Sequence, residues 1–357
     1  MHEDFMNRAN ILRNEYLLKA EKLFVAQKNG WLAAFIEHFQ KVCTKIVTLQ
    51  NENSLSVISY LEYNMLYSNF INRQYTAEVW VYGERQYLDK EQHMIGEYNA
   101  SFLFGYFDEL WDKLLSERKR YVGTVKSREI TSFMIEALPS FYSYLASIAR
   151  LAIVELVCKS PFADIIKNDR FRVNVGEYMA KTEPVFTENK NKNACKLAKW
   201  FDDQLDNEYI FGDYSGLDFS GKIYDYIDFR YARFQDSVLN NTILVGSTLI
   251  GANFRNSAIE NGRLDYCAIY EADFSYANLK NASLIGVTAK AGLPDDTKWK
   301  YVGFLPVSFR DADLTGANFT GANLTGADFT GAILADVDFT DAVLDGAIFS
   351  SSIEIKN

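Results

Sequence analysis

Apolar residues recur at every fifth position through much of the C-terminal part of this 357-residue chain. We call each of them the centre of its five-residue unit. The centres of the first tract are Phe229, Phe234, Leu239, Leu244, Leu249, Phe254, Ile259, Leu264, Ile269, Phe274, Leu279 and Leu284. Those of the second tract are Phe309, Leu314, Phe319, Leu324, Phe329, Leu334, Phe339, Leu344 and Phe349. This period fits neither a helix nor a straight strand, but it fits a short strand followed by a corner.

Four such units are expected to close one square coil, so that centres 20 residues apart stack at the β spacing of about 4.8 Å. In the first tract this core includes Phe254 and Phe274. In the second tract it predicts ladders of Phe309 with Phe329 and Phe349, Phe319 with Phe339, Leu314 with Leu334, and Leu324 with Leu344. The residues two positions before the centres are mostly small, because they point into the same narrow core.

The run ADLTGANFTGANLTGADFTGA, from Ala312 to Ala332, resembles the A(D/N)LXX motif of pentapeptide-repeat proteins. Known members of that family form right-handed quadrilateral parallel β-helices, and the resemblance implies such a solenoid for residues 207–357. It covers about 40% of the chain and is looser in the first tract, where Thr242, Ser247 and Cys267 occupy small positions. Nothing in residues 1–200 resembles the motif.

Residues 285–308 interrupt the pattern. The segment carries Pro294 and Pro306, and we interpret it as a protruding loop or a distorted coil. The gap from Ala289 to Phe309 is 20 residues, the length of one coil, so the ladders are expected to keep their phase across it. The segment is either a partner-binding lobe, with Trp299 and Tyr301 at its surface, or a tolerated insertion.

The composition changes near residue 205. Residues 1–205 carry 26 basic and 26 acidic side chains, whereas residues 206–357 carry 11 and 21. Before this boundary, apolar stripes at helical spacing predict a mainly α-helical bundle over residues 1–190. The stripes are Trp31, Phe35, Phe39, Val42 and Ile46, then Leu103, Phe107, Leu110 and Leu114, and then Leu145, Ile148, Ala152 and Leu156.

Four local features qualify the helical interpretation. The stretch from Tyr75 to Leu88 alternates like a strand pair around Gly83, and the RFRVNV run from Arg170 favours another extended piece. Pro139 is expected near the start of a helix. The apolar run from Leu138 to Cys158 contains charged residues, which favours a buried helix over a membrane span.

An open solenoid end exposes core and strand edges, so each end is expected to be covered. A helix over residues 191–206 is the candidate N-terminal cap. At the other end only SSIEIKN remains, in which Ile353 and Ile355 could form a closing strand. A homodimer through the C-terminal end of the solenoid is the alternative cover.

The sequence offers no catalytic, cofactor-binding or metal-binding residue. His2, His38 and His93 lie far apart, and the four cysteines form no CxxC pair, so we expect reduced thiols and no cofactor. Cys267 sits at a small core position, where we expect an inert thiol. The N-terminus has no apolar secretory segment, and the protein is expected to be cytoplasmic, although export by another route stays open.

The second tract is acidic, with seven Asp, one Arg and no Lys between Phe309 and Phe349. It is expected to repel nucleic acid and to attract a basic protein surface. The candidate partner surface comprises Asp313, Asp328, Asp336, Asp338, Asp341 and Asp345, together with Trp299 and Tyr301.

Two functions follow from these features. The first is a non-enzymatic protein–protein interaction or scaffold protein with an unidentified partner. The second is implied by the family resemblance: an acidic DNA mimic that binds a DNA-binding enzyme, such as bacterial DNA gyrase. A third class, an enzyme or toxin activity in residues 1–205, has no candidate residue.

Overall fold

The computed structural model describes residues 2–89, 92–179, 182–190, 209–289 and 305–350. The chain divides into two compact units, Met1–Asn191 and Lys192–Asn357. The expected capping helix over residues 191–206, the side chains of Trp299 and Tyr301, and the C-terminal Ile353 and Ile355 all lie outside the described residues.

Three helices form one layer of the N-terminal unit. They are α1 (His2–Asn51), α3 (Gly105–Glu117) and α4 (Ser127–Leu156), with a short α2 (Tyr67–Ile71) between the first two strands. The three long helices pack against one another through their apolar stripes, in which Phe35, Phe107 and Leu145 are buried. Pro139 lies inside α4 and not near the start of a helix as expected.

A five-stranded sheet forms the second layer. Its strands are β1 (Ile58–Met65), β2 (Thr76–Tyr82), β3 (His93–Asn99), β4 (Lys167–Glu177) and β5 (Thr182–Asn189). Their order is β3-β2-β1-β4-β5, with β1 parallel to β4 and the other pairs antiparallel.

The prediction of a mainly helical bundle for residues 1–190 is therefore wrong in omitting this sheet. The extended character of Tyr75–Leu88 and of the run from Arg170 marks parts of β2 and β4, but no strand pair forms around Gly83. Strand β2 pairs instead with β1 and β3. The central β1–β4 pair joins segments about a hundred residues apart, and local periodicity carries no signal of such a pairing.

Helix α4 is long and apolar enough to cross a membrane, but 72% of its most apolar window is buried inside the fold. Its buried Arg150 donates from Nη1 to Glu183 Oε1 at 2.8 Å and from Nη2 to Ser147 Oγ at 3.1 Å. A paired arginine and a mostly covered surface are the features of a core helix.

The second unit is a solenoid whose backbone pairs in parallel with the residue 20 positions further on. Asp213 pairs with Arg233, for instance, and Arg233 pairs with Asn253. The longest of these pairings forms β6 (Asp328–Phe329) with β7 (Ile348–Phe349). Centres and small positions together form one continuous core, and this core extends the first tract back to Tyr209.

A single aromatic stack runs through both tracts. It comprises Phe234, Phe254, Phe274, Phe309, Phe329 and Phe349, whose neighbouring ring centroids lie 4.8–5.2 Å apart and nearly parallel. A second stack joins Phe319 and Phe339 at 5.4 Å. The rings are held in register because each coil repeats the backbone of the coil before it.

The phase expected across the interruption is wrong. Phe309 stacks on Phe274, which precedes it by 35 residues, and Asp273 pairs with Ser308. Ala289 hydrogen-bonds to Asn323, not to a residue of the Phe309 unit. The coils on either side of the interruption therefore pair directly, so the chain between them adds 15 residues to one corner and no coil to the stack.

Every described corner has the same backbone conformation. In each unit centred on Tyr209 to Leu284 and on Phe309 to Leu344, the residue two positions after the centre has a positive φ. Gly, Asn or Asp occupies most of these positions, as this conformation favours. The exceptions are Phe211, Tyr226, Tyr231, Tyr266, Glu271 and Tyr276.

Candidate interaction surface

In most units three positions lie on the outside of the coil: the residue before the centre and the two residues after it. Ile250, Asp265, Tyr270 and Ser275, each directly after a centre, are buried. In the second tract the residue before the centre is often Asp or Asn, and its side chain closes the corner. Asp338 Oδ1 accepts hydrogen bonds from the backbone N and from Oγ1 of Thr340 at 2.9 and 2.6 Å. Asn318 and Asn323 bind Thr320 and Thr325 in the same way. These polar side chains stabilise the turn.

Hydrogen bonding at the corners also alters acidity. The hydroxyl and then the backbone N–H of Thr340 hold the pKa of Asp338 below its usual value. For Asp328, burial acts to raise the pKa, but the hydrogen bonds from Thr330 and Arg310 outweigh it and leave a lowered pKa. Both carboxylates are therefore negative at neutral pH.

Two of the six aspartates of the expected acidic surface are paired with cations. Asp313 lies 3.1 Å from Lys280 Nζ, and Asp328 lies 2.9 Å from Arg310 Nη1. The remaining four, Asp336, Asp338, Asp341 and Asp345, are exposed and form no ion pair within the described residues. All four belong to the last described coil, so the unpaired aspartates of this expected surface lie at one end of the second tract, while Asp311, which is not part of that surface, is exposed at the other end.

The first tract presents a different surface, which the sequence interpretation missed. Tyr226 is 81% exposed, Tyr266 is 67% exposed, and the neighbouring Ile223 is 60% exposed. The two tyrosines lie in one column of corners, two coils apart, with Gly246 between them. A Cβ added to Gly246 would lie 2.4 Å from the Tyr226 ring, so the ring covers the glycine corner of the next coil.

These tyrosines occupy corners in which their own conformation is unfavourable. Tyr226 has a φ of 59° and Tyr266 a φ of 58°, a region that costs a residue with a Cβ about 1–2 kcal/mol. The signal was readable in the sequence, since an aromatic residue stood where the repeat places Gly, Asn or Asp. Strain held at exposed positions that add nothing to the core points to a use of the surface.

No catalytic or metal-binding arrangement accompanies these surfaces in the described part of the chain. There, no group of three or more His, Cys, Asp or Glu residues could hold a metal ion. Burial raises the pKa of the Cys267 thiol to about 12, and the thiol donates to Leu244 O. Burial, followed by the charge of Lys41, lowers the pKa of His38 to about 4. Neither group is poised for chemistry at neutral pH.

A solenoid of five-residue units with left-handed corners and a stacked aromatic core defines a class of repeat protein. The model of the family described as pentapeptide repeats matches residues 227–265 and 312–350, with eight copies. Through this C-terminal region the chain belongs to the pentapeptide-repeat family. The model leaves the N-terminal unit unmatched.

Several solved structures are similar to the repeat region. Rfr23, a pentapeptide repeat protein from the cyanobacterium Cyanothece 51142, is 26% identical over 30% of this chain and 63% of its own, with a TM-score of 0.25. QnrB1, a plasmid-mediated fluoroquinolone resistance protein, is 25% identical over 38% of this chain and 79% of its own, with a TM-score of 0.18.

HetL from the cyanobacterium Nostoc sp. strain PCC 7120, involved in heterocyst differentiation regulation, is 20% identical over 45% of this chain and 98% of its own, with a TM-score of 0.13. The present chain covers 63% of the length of Rfr23, which is less than two thirds of that protein. No curated protein matches the chain.

Proposed function

We propose that this protein is a non-enzymatic protein–protein interaction or scaffold protein, whose partner binds the outer faces of a right-handed quadrilateral β-helix. The observation that carries the proposal is the exposed aromatic surface around Tyr226 and Tyr266. Aromatic side chains contribute much of the binding energy at protein interfaces. Here they stand at strained corners, where Gly or Asn would be more stable in the isolated chain.

A pull-down with the full chain as bait tests this proposal. The variant Tyr226→Asn/Tyr266→Asn removes both rings and supplies a residue that suits a positive φ, so its fold is retained. The matched control is Asn241→Gly/Asn261→Gly, which changes two exposed corners of another column to a residue that also suits a positive φ. We expect a partner, quantified by mass spectrometry, to fall at least about tenfold with the tyrosine variant and to persist with the control. Recovery of the same proteins by all three baits would contradict the proposal.

A second candidate function rests on the four unpaired carboxylates of the last described coil. We propose as the alternative that this acidic end mimics DNA and binds a DNA-binding enzyme, such as bacterial DNA gyrase. Supercoiling assays with micromolar protein should show inhibition that weakens with added salt. The inhibition should also weaken in Asp336→Asn/Asp341→Asn/Asp345→Asn. Absence of any effect on supercoiling would remove this candidate.

We also propose, as part of the interaction function, that two copies of the chain associate through the C-terminal end of the solenoid. Leu344 and Phe349 are half-buried in the last described coil, whereas Leu324 and Phe329, one coil earlier, are buried. A second copy would cover this exposed core. Light scattering at micromolar concentration should give twice the 40.8 kDa mass of the chain, and a monomer would contradict the association.

We propose that the protein is cytoplasmic, in keeping with the free thiols of Cys43, Cys158 and Cys267.

A further inference from the structure

A polar cluster is buried on one face of the N-terminal sheet. The Tyr63 ring of β1 lies 5.3 Å from Phe35 of α1, so this side chain faces the helices. Successive side chains of a strand alternate, which directs Glu62 and Asn64 to the opposite face. Both are nevertheless fully buried, as is most of Asn174 on the neighbouring β4. This face of the sheet therefore has an enclosed polar centre.

Within the described structure, the Glu62 carboxylate accepts hydrogen bonds from neutral donors only. Tyr87 Oη donates to Oε2 at 2.7 Å, and Asn174 Nδ2 donates to Oε1 at 2.8 Å. Gln86 Nε2 also donates to Oε1. Among the described residues no Lys, Arg or His forms an ion pair with this carboxylate. Burying a carboxylate without a positive partner is costly, so the cluster has the composition of a site that lacks its cation.

Aromatic rings surround this carboxylate. Tyr87 lies edge-on to Tyr82 at 5.2 Å and to Tyr178 at 5.7 Å, and Trp80 stacks on Tyr82 at 6.4 Å. Burial, and then the Glu62 charge, raises the pKa of Tyr82, so this phenol stays protonated. The faces of such rings attract cations, and they do so most strongly where water is excluded.

Two buried amide oxygens have no hydrogen-bond partner within the described structure: Asn64 Oδ1 and Asn174 Oδ1. The second belongs to the amide that donates to Glu62, which places an unused acceptor beside the carboxylate. Unpaired buried acceptors are rare and cost free energy. The two free amide oxygens and the Glu62 carboxylate would together bind a ligand that carries positive charge and donates hydrogen bonds.

The cover of the cluster is a short segment between β2 and β3, which we call the strap (residues 83–89). It supplies two of the three donors to Glu62, from Gln86 and Tyr87. Gln86 has a φ of 54°, and Leu88, at the tip, is 81% exposed. Besides its bonds to Glu62, the strap is held by the Tyr87 ring and by Gln92 Nε2, which donates to Tyr87 O at 2.9 Å. A strap with a strained residue and an exposed tip can lift by breaking these few contacts and give up its donors to a ligand.

We propose that the Glu62 cluster is a binding site for a small organic ammonium ion, which enters beneath the strap. Its N–H groups replace the donors of Gln86 and Tyr87 and reach the free amide oxygen of Asn174. A divalent metal ion fits less well, because Ca²⁺ takes more oxygen ligands than one carboxylate and two amides supply, and Mg²⁺ keeps several bound waters, which this fully buried cluster does not favour. The site lies in the N-terminal unit and is independent of the function proposed for the solenoid.

Titration of the ¹⁵N-labelled full chain with n-propylammonium chloride, against sodium chloride at equal ionic strength, tests this site by NMR. We expect saturable shifts of the side-chain amide signals of Asn64 and Asn174 with propylammonium only. Absence of a saturable shift up to about 50 mM, which would reveal even a site roughly fifty times weaker than a millimolar one, would overturn the proposal. Stronger shifts with magnesium chloride than with propylammonium would overturn it as well.

Glu62→Gln removes the charge and keeps the shape, and its affinity should fall at least about tenfold, since the charged partner is lost. Glu37→Gln is the control, because it removes one carboxylate from an exposed pair with Lys41 on α1, away from the cluster. Tyr87→Phe, which weakens the strap but keeps the ring, should bind as tightly as the native chain or more tightly. Equal affinity of Glu62→Gln and the native chain, or loss of binding in Glu37→Gln, would overturn the assignment. If Glu62→Gln does not fold, the proposal is tested by the titration of the native chain and by the affinity of Tyr87→Phe, which must not be lower than that of the native chain.

Discussion

The two tracts of the solenoid have the same core and different surfaces. In both, the centres are buried, the rings of one phenylalanine column stack at about 5 Å, and each corner has a positive φ. Outward positions differ: the first tract has exposed tyrosines at strained corners, and the second has Asp, Asn, Thr and Gly that close the corners with hydrogen bonds. The coil therefore restricts the inward side chains and the backbone conformation of the corners, and leaves the outward side chains, including those at the corners, free to differ.

The largest expected effect concerns the shared core. Phe254→Ala and Phe309→Ala each remove a fully buried ring of the same stack and should each lower the free energy of unfolding by about 3–5 kcal/mol. Urea unfolding of the full chain, followed by circular dichroism, measures both losses. Phe349→Ala, at the half-buried end of the stack, should cost less. A much smaller loss for Phe254→Ala than for Phe309→Ala would show that the first tract is packed more loosely.

The next-largest loss of stability is expected at one of two glycine corners with similar positive φ values, 69° at Gly246 and 64° at Gly321. Gly246→Ala places a Cβ 2.4 Å from the Tyr226 ring as well as in a left-handed conformation, whereas at Gly321 nothing lies within 4 Å of a Cβ. Gly321→Ala should cost about 1 kcal/mol through backbone strain alone, and Gly246→Ala should cost more. Thermal unfolding compares them. Equal losses would mean that the exposed tyrosine ring moves aside freely.

A smaller effect of opposite sign is expected at the tyrosine corners. Tyr226→Asn replaces a strained aromatic residue by one that tolerates a positive φ, and should leave stability unchanged or raise it by up to about 1 kcal/mol. Thr340→Ala in the second tract should instead lower stability, because it removes a hydrogen bond to Asp338. Destabilisation by Tyr226→Asn would show that the ring contributes to folding and would weaken the argument for a binding role.

The smallest expected effect is on the pKa of Asp338, whose side chain closes a corner by accepting hydrogen bonds from Thr340. Because hydrogen bonds from Thr340 lower the pKa of Asp338 in the folded chain, its contribution to stability is present above the ordinary Asp pKa and is lost as the pH falls through the lowered value. NMR titration of the carboxyl carbon should give a lowered pKa that rises again in Thr340→Val. An unchanged pKa in that variant would mean that the hydroxyl is not the main cause.

Part of this architecture was readable in the sequence, because each repeat unit makes the same local turn. The period of five identified the centres, the small positions and the Phe309–Phe329–Phe349 column. It also contained the tyrosine corners, which a check of the residue two positions after each centre would have found. The pairing of Asp313 with Lys280 was not readable, since it depends on the 35-residue register across the interruption, whereas Arg310 and Asp328 flank Phe309 and Phe329 of the predicted column.

In the N-terminal unit, by contrast, less of the structure could be predicted from the sequence. Its helical stripes were correctly located, but its sheet was recognised only as two isolated extended pieces. Strands β1 and β4 pair through contacts between distant segments, and a local pattern does not specify which strand lies beside which. The burial of Glu62 likewise depends on the strap and on Asn174 of β4, so its sequence neighbourhood gave no indication of it.

The sequence by itself determined the coil, its core and its corners, because these depend on side chains within one unit and on exact repetition from one coil to the next. Tertiary structure decided the 35-residue register by which Phe309 stacks on Phe274, the pairing of Asp313 with Lys280 and the enclosed Glu62 cluster. Each of these brings together residues whose separation along the chain follows no period. Their contacts are selected by the free energy of the whole packed unit and not by local conformation.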